Sequence, residues 1–242
     1  MGLSCRMTAL CTAIAFILCS CASNGVHREE MKWSSPQACI AGHTVGGAVM
    51  GAISGALVAA AAGKEVGRGA AIGSVAGGSL AFAYAWGKCF ASFTKVTSVQ
   101  SQGYRAARGR IGYQPSQGAM VRIGEHGIHP SAIAPGDKPE MHASYYLMTP
   151  SDQDVTVKET VTLKVYNPDK HLFEEVGSTS ETIVARPGER KATSEIQIPS
   201  NAVEGKFFIV LKVQMLGQKD EKEMPLTITT DQTILAKAKK IP

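Results

Sequence analysis

Hydrophobic and polar positions change their pattern several times along the chain. Residues 7–18 form a largely apolar run without a charge, preceded by Arg6. The run is shorter than the roughly 20 residues a spanning helix needs, and Ser20 and Ala22 supply the small side chains of a processing site, so residues 1–20 are expected to be a cleavable signal peptide. Residues 44–63 and 69–87 are again uncharged, with Lys64, Glu65 and Arg68 between them. Each segment has roughly the 20 residues of a bilayer span, and the short polar turn predicts an antiparallel helical hairpin over residues 39–90, with a tether over 21–38 before it. Residues 91–118 are rich in Ser, Gln, Gly and Arg with little apolar periodicity, which predicts an extended linker.

From residue 119 onward the pattern switches to alternation. Val161, Leu163 and Val165 repeat every second residue, as do Phe207, Ile209, Leu211 and Val213, which predicts strands with one buried face. Seven strands are expected, at 120–123, 142–148, 155–166, 174–184, 193–198, 206–216 and 225–230. Turn signals separate them at Pro135-Gly136-Asp137, Asn167-Pro168-Asp169, Arg186-Pro187-Gly188-Glu189 and Pro199-Ser200-Asn201. Short strands at this spacing predict an antiparallel β-sandwich over 119–232, followed by a basic tail over 233–242. The chain is thus read as two parts, α then all-β.

Within the uncharged segments, Gly47, Gly51 and Gly55 stand four apart, and Gly69, Gly73 and Gly77 repeat the spacing. Glycines four apart form a groove along one helix face, into which another backbone can pack closely. Each Gly costs a lone helix about 1 kcal/mol relative to Ala, so these helices need a neighbour. That neighbour is either the membrane or further copies of the chain, which makes self-association the expected partner mode. Phe82, Tyr84 and Trp86 near the end of the second segment are expected to form an interfacial aromatic belt.

Leu18-Cys19-Ser20-Cys21 resembles the lipobox of bacterial lipoproteins. The resemblance implies cleavage before Cys21 and a lipid (diacylglycerol, with palmitate-type acyl chains) on its sulfur, an anchor rather than a cofactor. Ala22, in place of Asp, implies by the same resemblance sorting to the outer membrane. Lipobox and glycine spacing together resemble the glycine-zipper envelope lipoproteins, which implies membrane association or self-association and leaves activity open. The long C-terminal part departs from the simplest members. Cys5, Cys11 and Cys19 would leave with the signal peptide, so Cys39 and Cys89 remain. They flank the turn at Lys64 and Glu65 symmetrically, and in an oxidising compartment a disulfide is expected; the alternative is a pair of buried reduced thiols. Pro135-Gly136-Asp137 and the approach from Pro199 to Lys206-Phe207-Phe208-Ile209-Val210 look like an immunoglobulin or fibronectin-III-like domain. It lacks the Cys pair and core Trp of antibody domains.

Net charge is +5, which is mild. Basic residues gather at Lys95, Arg105, Arg108 and Arg110 and again at Lys237, Lys239 and Lys240. They are read as solvated surface, able to contact anionic head groups beside a lipid anchor. Tyr104 and Tyr113 among the arginines are read as surface decoration, and no nucleic-acid partner is expected of an exported chain. His126, His129 and His142 with Glu125 lack metal-ligand spacing, so no metal site is assigned. There is no Walker loop or nucleophile elbow, and no catalytic residue is assigned. These readings converge on a non-enzymatic lipoprotein of the cell envelope, with its sandwich in the periplasm or on the surface and an envelope protein or polymer as partner. An oligomeric glycine-zipper pore is the alternative.

Overall fold

The structure, a computed structural model, describes residues 33–40, 43, 82–167 and 170–239. The expected signal peptide, Cys21 and all six glycines of the expected zipper lie outside the described residues, as does most of the expected hairpin. Among the described residues, no helix is long and apolar enough to cross a membrane.

Two sheets face each other as a β-sandwich. The first comprises β1 (Thr97–Gly103), β7 (Gly188–Glu195), β4 (Glu140–Met148) and β2 (Met120–His129) in the order β1-β7-β4-β2. The second is ordered β3-β9-β8-β5-β6, from β3 (Ala132–Ile133), β9 (Gln218–Ile228), β8 (Gly205–Met215), β5 (Val155–Asn167) and β6 (Leu172–Ala185). All pairings are antiparallel except that of β3 with β9.

The alternation read from the sequence builds the core. Val161 on β5 pairs with Leu211 on β8, and Leu163 with Ile209. All four are fully buried, against Met141, Tyr145 and Leu147 from β4. Each such aliphatic side chain contributes about 1.5–3 kcal/mol by leaving water. Leu216 (φ 48°) and Gly217 (φ 77°) make the tight turn from β8 to β9, in the left-handed pair that matches strand twist.

Several elements differ from expectation. Residues 91–118, expected as an extended linker, carry β1, a helix (Tyr104–Ile111) and a 3-10 turn (Pro115–Gln117). β1 escapes the periodicity because its one large apolar residue, Val99, points to solvent, while its backbone pairs with β7 from Thr97↔Thr193 to Gly103↔Gly188. The next helix and turn lie on the outer face of the first sheet, where Ala107 and Tyr113 pack with Tyr146 and Met148 in a second small core. Tyr113 is fully buried and its hydroxyl donates to Gly118 O at 2.7 Å, so it is structural rather than decorative. Arg108 likewise donates from Nε to Tyr113 O at 3.2 Å. Covering both faces of β4 explains its unbroken buried run from Ala143 to Met148. The tail expected from residue 233 begins with a helix, Gln232–Ala238, capped by Asp231, whose carboxylate accepts from Thr233 N at 2.8 Å.

Candidate functional site

Ahead of the first strand runs a helix over residues 82–93, here α1. Phe82, Trp86 and Phe90 recur every fourth residue and are buried with Ala83, Ala85 and Cys89, whereas Tyr84 and Lys88 face out. That is one apolar stripe on an amphipathic helix. It packs into the sandwich core, with Trp86 edge-on to Phe207 of β8 at 5.2 Å between centroids. The expected interfacial belt is therefore corrected: Phe82 and Trp86 fill protein interior, and Tyr84 points outward to a hydrogen bond.

α1 approaches β6 with backbone almost against backbone. A Cβ on Gly87 would fall 2.0 Å from Val176 O, and one on Gly177 would fall 2.0 Å from Gly87 O. Only paired glycines allow this separation. Farther along the strand, residues 91–96 and Thr179, Ser180 and Glu181 line a cleft of about 490 Å³, with Lys95 and Gln197 on its wall.

At the other end of this contact, the Glu174 carboxylate gathers three donors. Tyr84 Oη donates at 2.8 Å, Asn167 Nδ2 at 3.0 Å and Lys170 Nζ at 2.6 Å. The bond from Asn167 first, then those from Lys170 and Tyr84, hold the Glu174 pKa down to about 2. A carboxylate whose folded pKa is depressed stabilises the fold above its unfolded value near 4.5 and loses that contribution as pH falls towards 2. Between pH 5 and 2, the unfolding free energy of Glu174→Gln is therefore expected to fall less steeply than that of the parent chain. Denaturant titrations across that range measure the difference.

Cys39 and Cys89 form the expected disulfide, with their Cα atoms 6.0 Å apart. Ser35 and Pro36 start the helical residues 36–40: the Ser35 hydroxyl accepts from Ala38 N at 3.2 Å, and Pro36 occupies a first-turn position where its missing N–H costs nothing. The bond thus fixes these residues to α1. His43, which the sequence reading passed over, stands beside the disulfide with its ring 6.0 Å from that of Trp33.

Between the sheets lies a buried polar network. Tyr145 of β4 donates its hydroxyl proton to the Glu159 carboxylate of β5, and Arg190 of β7 donates from Nε to the same hydroxyl oxygen at 3.1 Å. Arg190 Nη2 also donates to Ser98 O of β1 at 2.8 Å. Glu159 is 1% exposed and Arg190 9%. Burial, and then the neighbouring Glu159, raises the Tyr145 pKa far above the ordinary phenol value, so the hydroxyl remains a proton donor. A second buried carboxylate, Glu189, meets Arg110 at 3.5 Å and Ser101 Oγ at 3.1 Å on the outer face of the same sheet. Both charge clusters were invisible to motif reading because their members come from separate elements: different strands and, for Arg110, the Tyr104–Ile111 helix.

The three histidines do not converge. His126 Nδ1 lies 3.0 Å from Gly124 O, and the His142 ring lies beside Gly127. Among the described residues, no metal-ligand group includes His126, His129 or His142.

No protein-family model and no curated protein sequence matches the chain. Among solved structures, the chain is similar to the alkylpurine DNA glycosylase AlkC of Pseudomonas fluorescens bound to abasic-site DNA (14% identity, covering 47% of this chain and 32% of that one, TM-score 0.34). It is also similar to the sporulation control protein Spo0M of Bacillus subtilis (13% identity, 49% and 52% covered, TM-score 0.30). A third likeness is to the C-terminal domain of Wzt (12% identity, 55% and 90% covered, TM-score 0.36). The chain spans only 32% and 52% of the first two, and similarity at this level carries no argument about activity.

Proposed function

We propose that the chain is a lipoprotein of the cell envelope, anchored by lipid on Cys21 to the outer membrane. In this reading it works without catalysis, by holding an immunoglobulin-like sandwich in place for assembly or partner binding. The observation that carries the reading is the junction at Cys39, Cys89 and α1. The disulfide holds the two ends of the Gly-rich segment 6.0 Å apart, which supports an antiparallel glycine-zipper hairpin leaving and re-entering at one place. The burial of Trp86 and the contact of Gly87 with β6 support a sandwich rigidly coupled to that hairpin. The hairpin would pack in or against the membrane, or with other copies through Gly47, Gly51, Gly55, Gly69, Gly73 and Gly77, and the cleft beside Lys95 and Glu181 offers hydroxyl, amide and charged groups to an envelope protein or polymer.

The test is fractionation of the full-length chain and a Cys21→Ala variant expressed in a bacterial host, with carbonate extraction of the membranes. The expected result is that the parent stays with the membranes and Cys21→Ala moves to the soluble fraction. Parent protein recovered as soluble would refute the anchor. A Cys21→Ala chain that stays membrane-bound without aggregating would show that the hairpin itself inserts.

A further inference from the structure

We propose that the Cys39–Cys89 disulfide covers a latent Zn²⁺ site, completed by His43. The two sulfurs and an imidazole nitrogen of His43 all lie within 4.8 Å of one another. Ligands held about 2.3 Å (sulfur) and about 2.1 Å (nitrogen) from one tetrahedral Zn²⁺ stand roughly 3.5–3.8 Å from each other, so the three atoms need to move by only about an ångström or two. Cys39 and His43 are both helical and stand four apart in sequence, and Cys89 comes to them from α1. Cys39 and Cys89 are buried while His43 is exposed. The site therefore has two thiolates sheltered from solvent, one imidazole at the surface as the way in, and an open fourth position for water.

The chemistry has two steps. A thiol reductant transfers two electrons to the disulfide: the S–S bond breaks, Cys39 and Cys89 become thiols, and two reductant thiols become one reductant disulfide. Zn²⁺ then displaces one proton from each thiol and takes the neutral His43 nitrogen as third ligand. Disulfide and metal exclude one another, so Zn²⁺ shifts the thiol–disulfide balance toward the reduced chain. This site does not depend on the envelope reading: it needs only residues 33–40, His43, α1 and the fold that holds them.

The test uses the full-length chain in detergent with Cys5, Cys11, Cys19 and Cys21 changed to Ser, so that Cys39 and Cys89 are the only thiols. Zn²⁺ is titrated against a chromophoric chelator with the protein oxidised, and again after reduction with a phosphine that is then removed. Trp fluorescence, with Trp33 also changed to Phe in every variant because its ring lies beside His43, reports whether Trp86 stays buried. The expected result is one Zn²⁺ per reduced chain, none at the same concentrations for the oxidised chain, and a loss of affinity of about tenfold or more in reduced His43→Ala. Zn²⁺ should also raise the reduced fraction in a fixed thiol–disulfide buffer for the parent and not for His43→Ala. Equal binding by oxidised and reduced chains, indifference to His43→Ala, no binding by a reduced chain that keeps Trp86 buried, or loss of Trp86 burial on reduction would each overturn the site. His43 is exposed, so its replacement leaves the fold intact and the comparison readable.

Discussion

Gly87→Ala is expected to lower the unfolding free energy by about 3 kcal/mol or more, although it adds a single methyl group to a helix. In most helices the change would be mildly favourable, because alanine loses less conformational freedom than glycine on folding. Here the methyl carbon would sit 2.0 Å from the carbonyl oxygen of Val176, with Val176 C at 2.4 Å. Those are backbone atoms of β6, at the bulge where Val176 falls between the pairs Lys164↔Glu175 and Leu163↔Gly177; they are not the end of a flexible side chain, so α1 must back off and withdraw Trp86 from Phe207. Gly109→Ala supplies the control: it lies on the Tyr104–Ile111 helix with nothing within 4 Å of its added carbon. It should leave stability unchanged or raise it by up to about 1 kcal/mol. Denaturant midpoints for both variants, followed by Trp fluorescence, decide the matter. Equal effects would mean that α1 does not dock on β6 as described.

The second large effect concerns the network between the sheets. Glu159→Leu and Arg190→Met are each expected to cost about 3–5 kcal/mol, because each leaves a buried charge without its counterpart. Tyr145 stands between the two, taking a proton donor from one side and offering its own to the other, so the pair acts as a relay rather than a direct ion pair. The double variant replaces both charges of this network with apolar volume and should cost well under the sum of the singles. A coupling of about 1 kcal/mol or more in the double-mutant cycle is the expected outcome. Additive losses would show that the two charges are solvated independently.

How much of this was legible beforehand depends on where each signal lies. β5 and β8 were readable because they are central strands with one apolar face each, and Asn167-Pro168 after β5 and Pro199-Ser200-Asn201 before β8 mark turns. β1 was not, since an edge strand held by backbone hydrogen bonds needs no apolar face, and its side chains TSVQSQG carry none. β7 was placed late because Arg190 and Ser194 occupy inward positions that alternation assigns to apolar residues. The disulfide followed from counting cysteines. The role of α1 was obscured by the glycine spacing around it: the stripe Phe82, Trp86, Phe90 was present in the sequence, but reading the segment for membrane length drew Phe82 and Trp86 into a lipid belt. His43 could have been noticed from its spacing to Cys39; nothing local ties it to Cys89, fifty residues from Cys39. Glu159, Tyr145 and Arg190 lie on three strands, and only the pairing of those strands brings them together.

The covalent bond at Cys39 also decides how tension travels through the molecule. A pull applied anywhere before Cys39 reaches α1 and the sandwich through sulfur, across a link whose Cα atoms are 6.0 Å apart, and bypasses the residues in between. The Gly-rich segment is thus a side loop carrying no load. Drag on the sandwich does not stretch it. Breaking the bond would put residues 40–88 in series with that load, so that the same pull would then stretch every residue between the two cysteines.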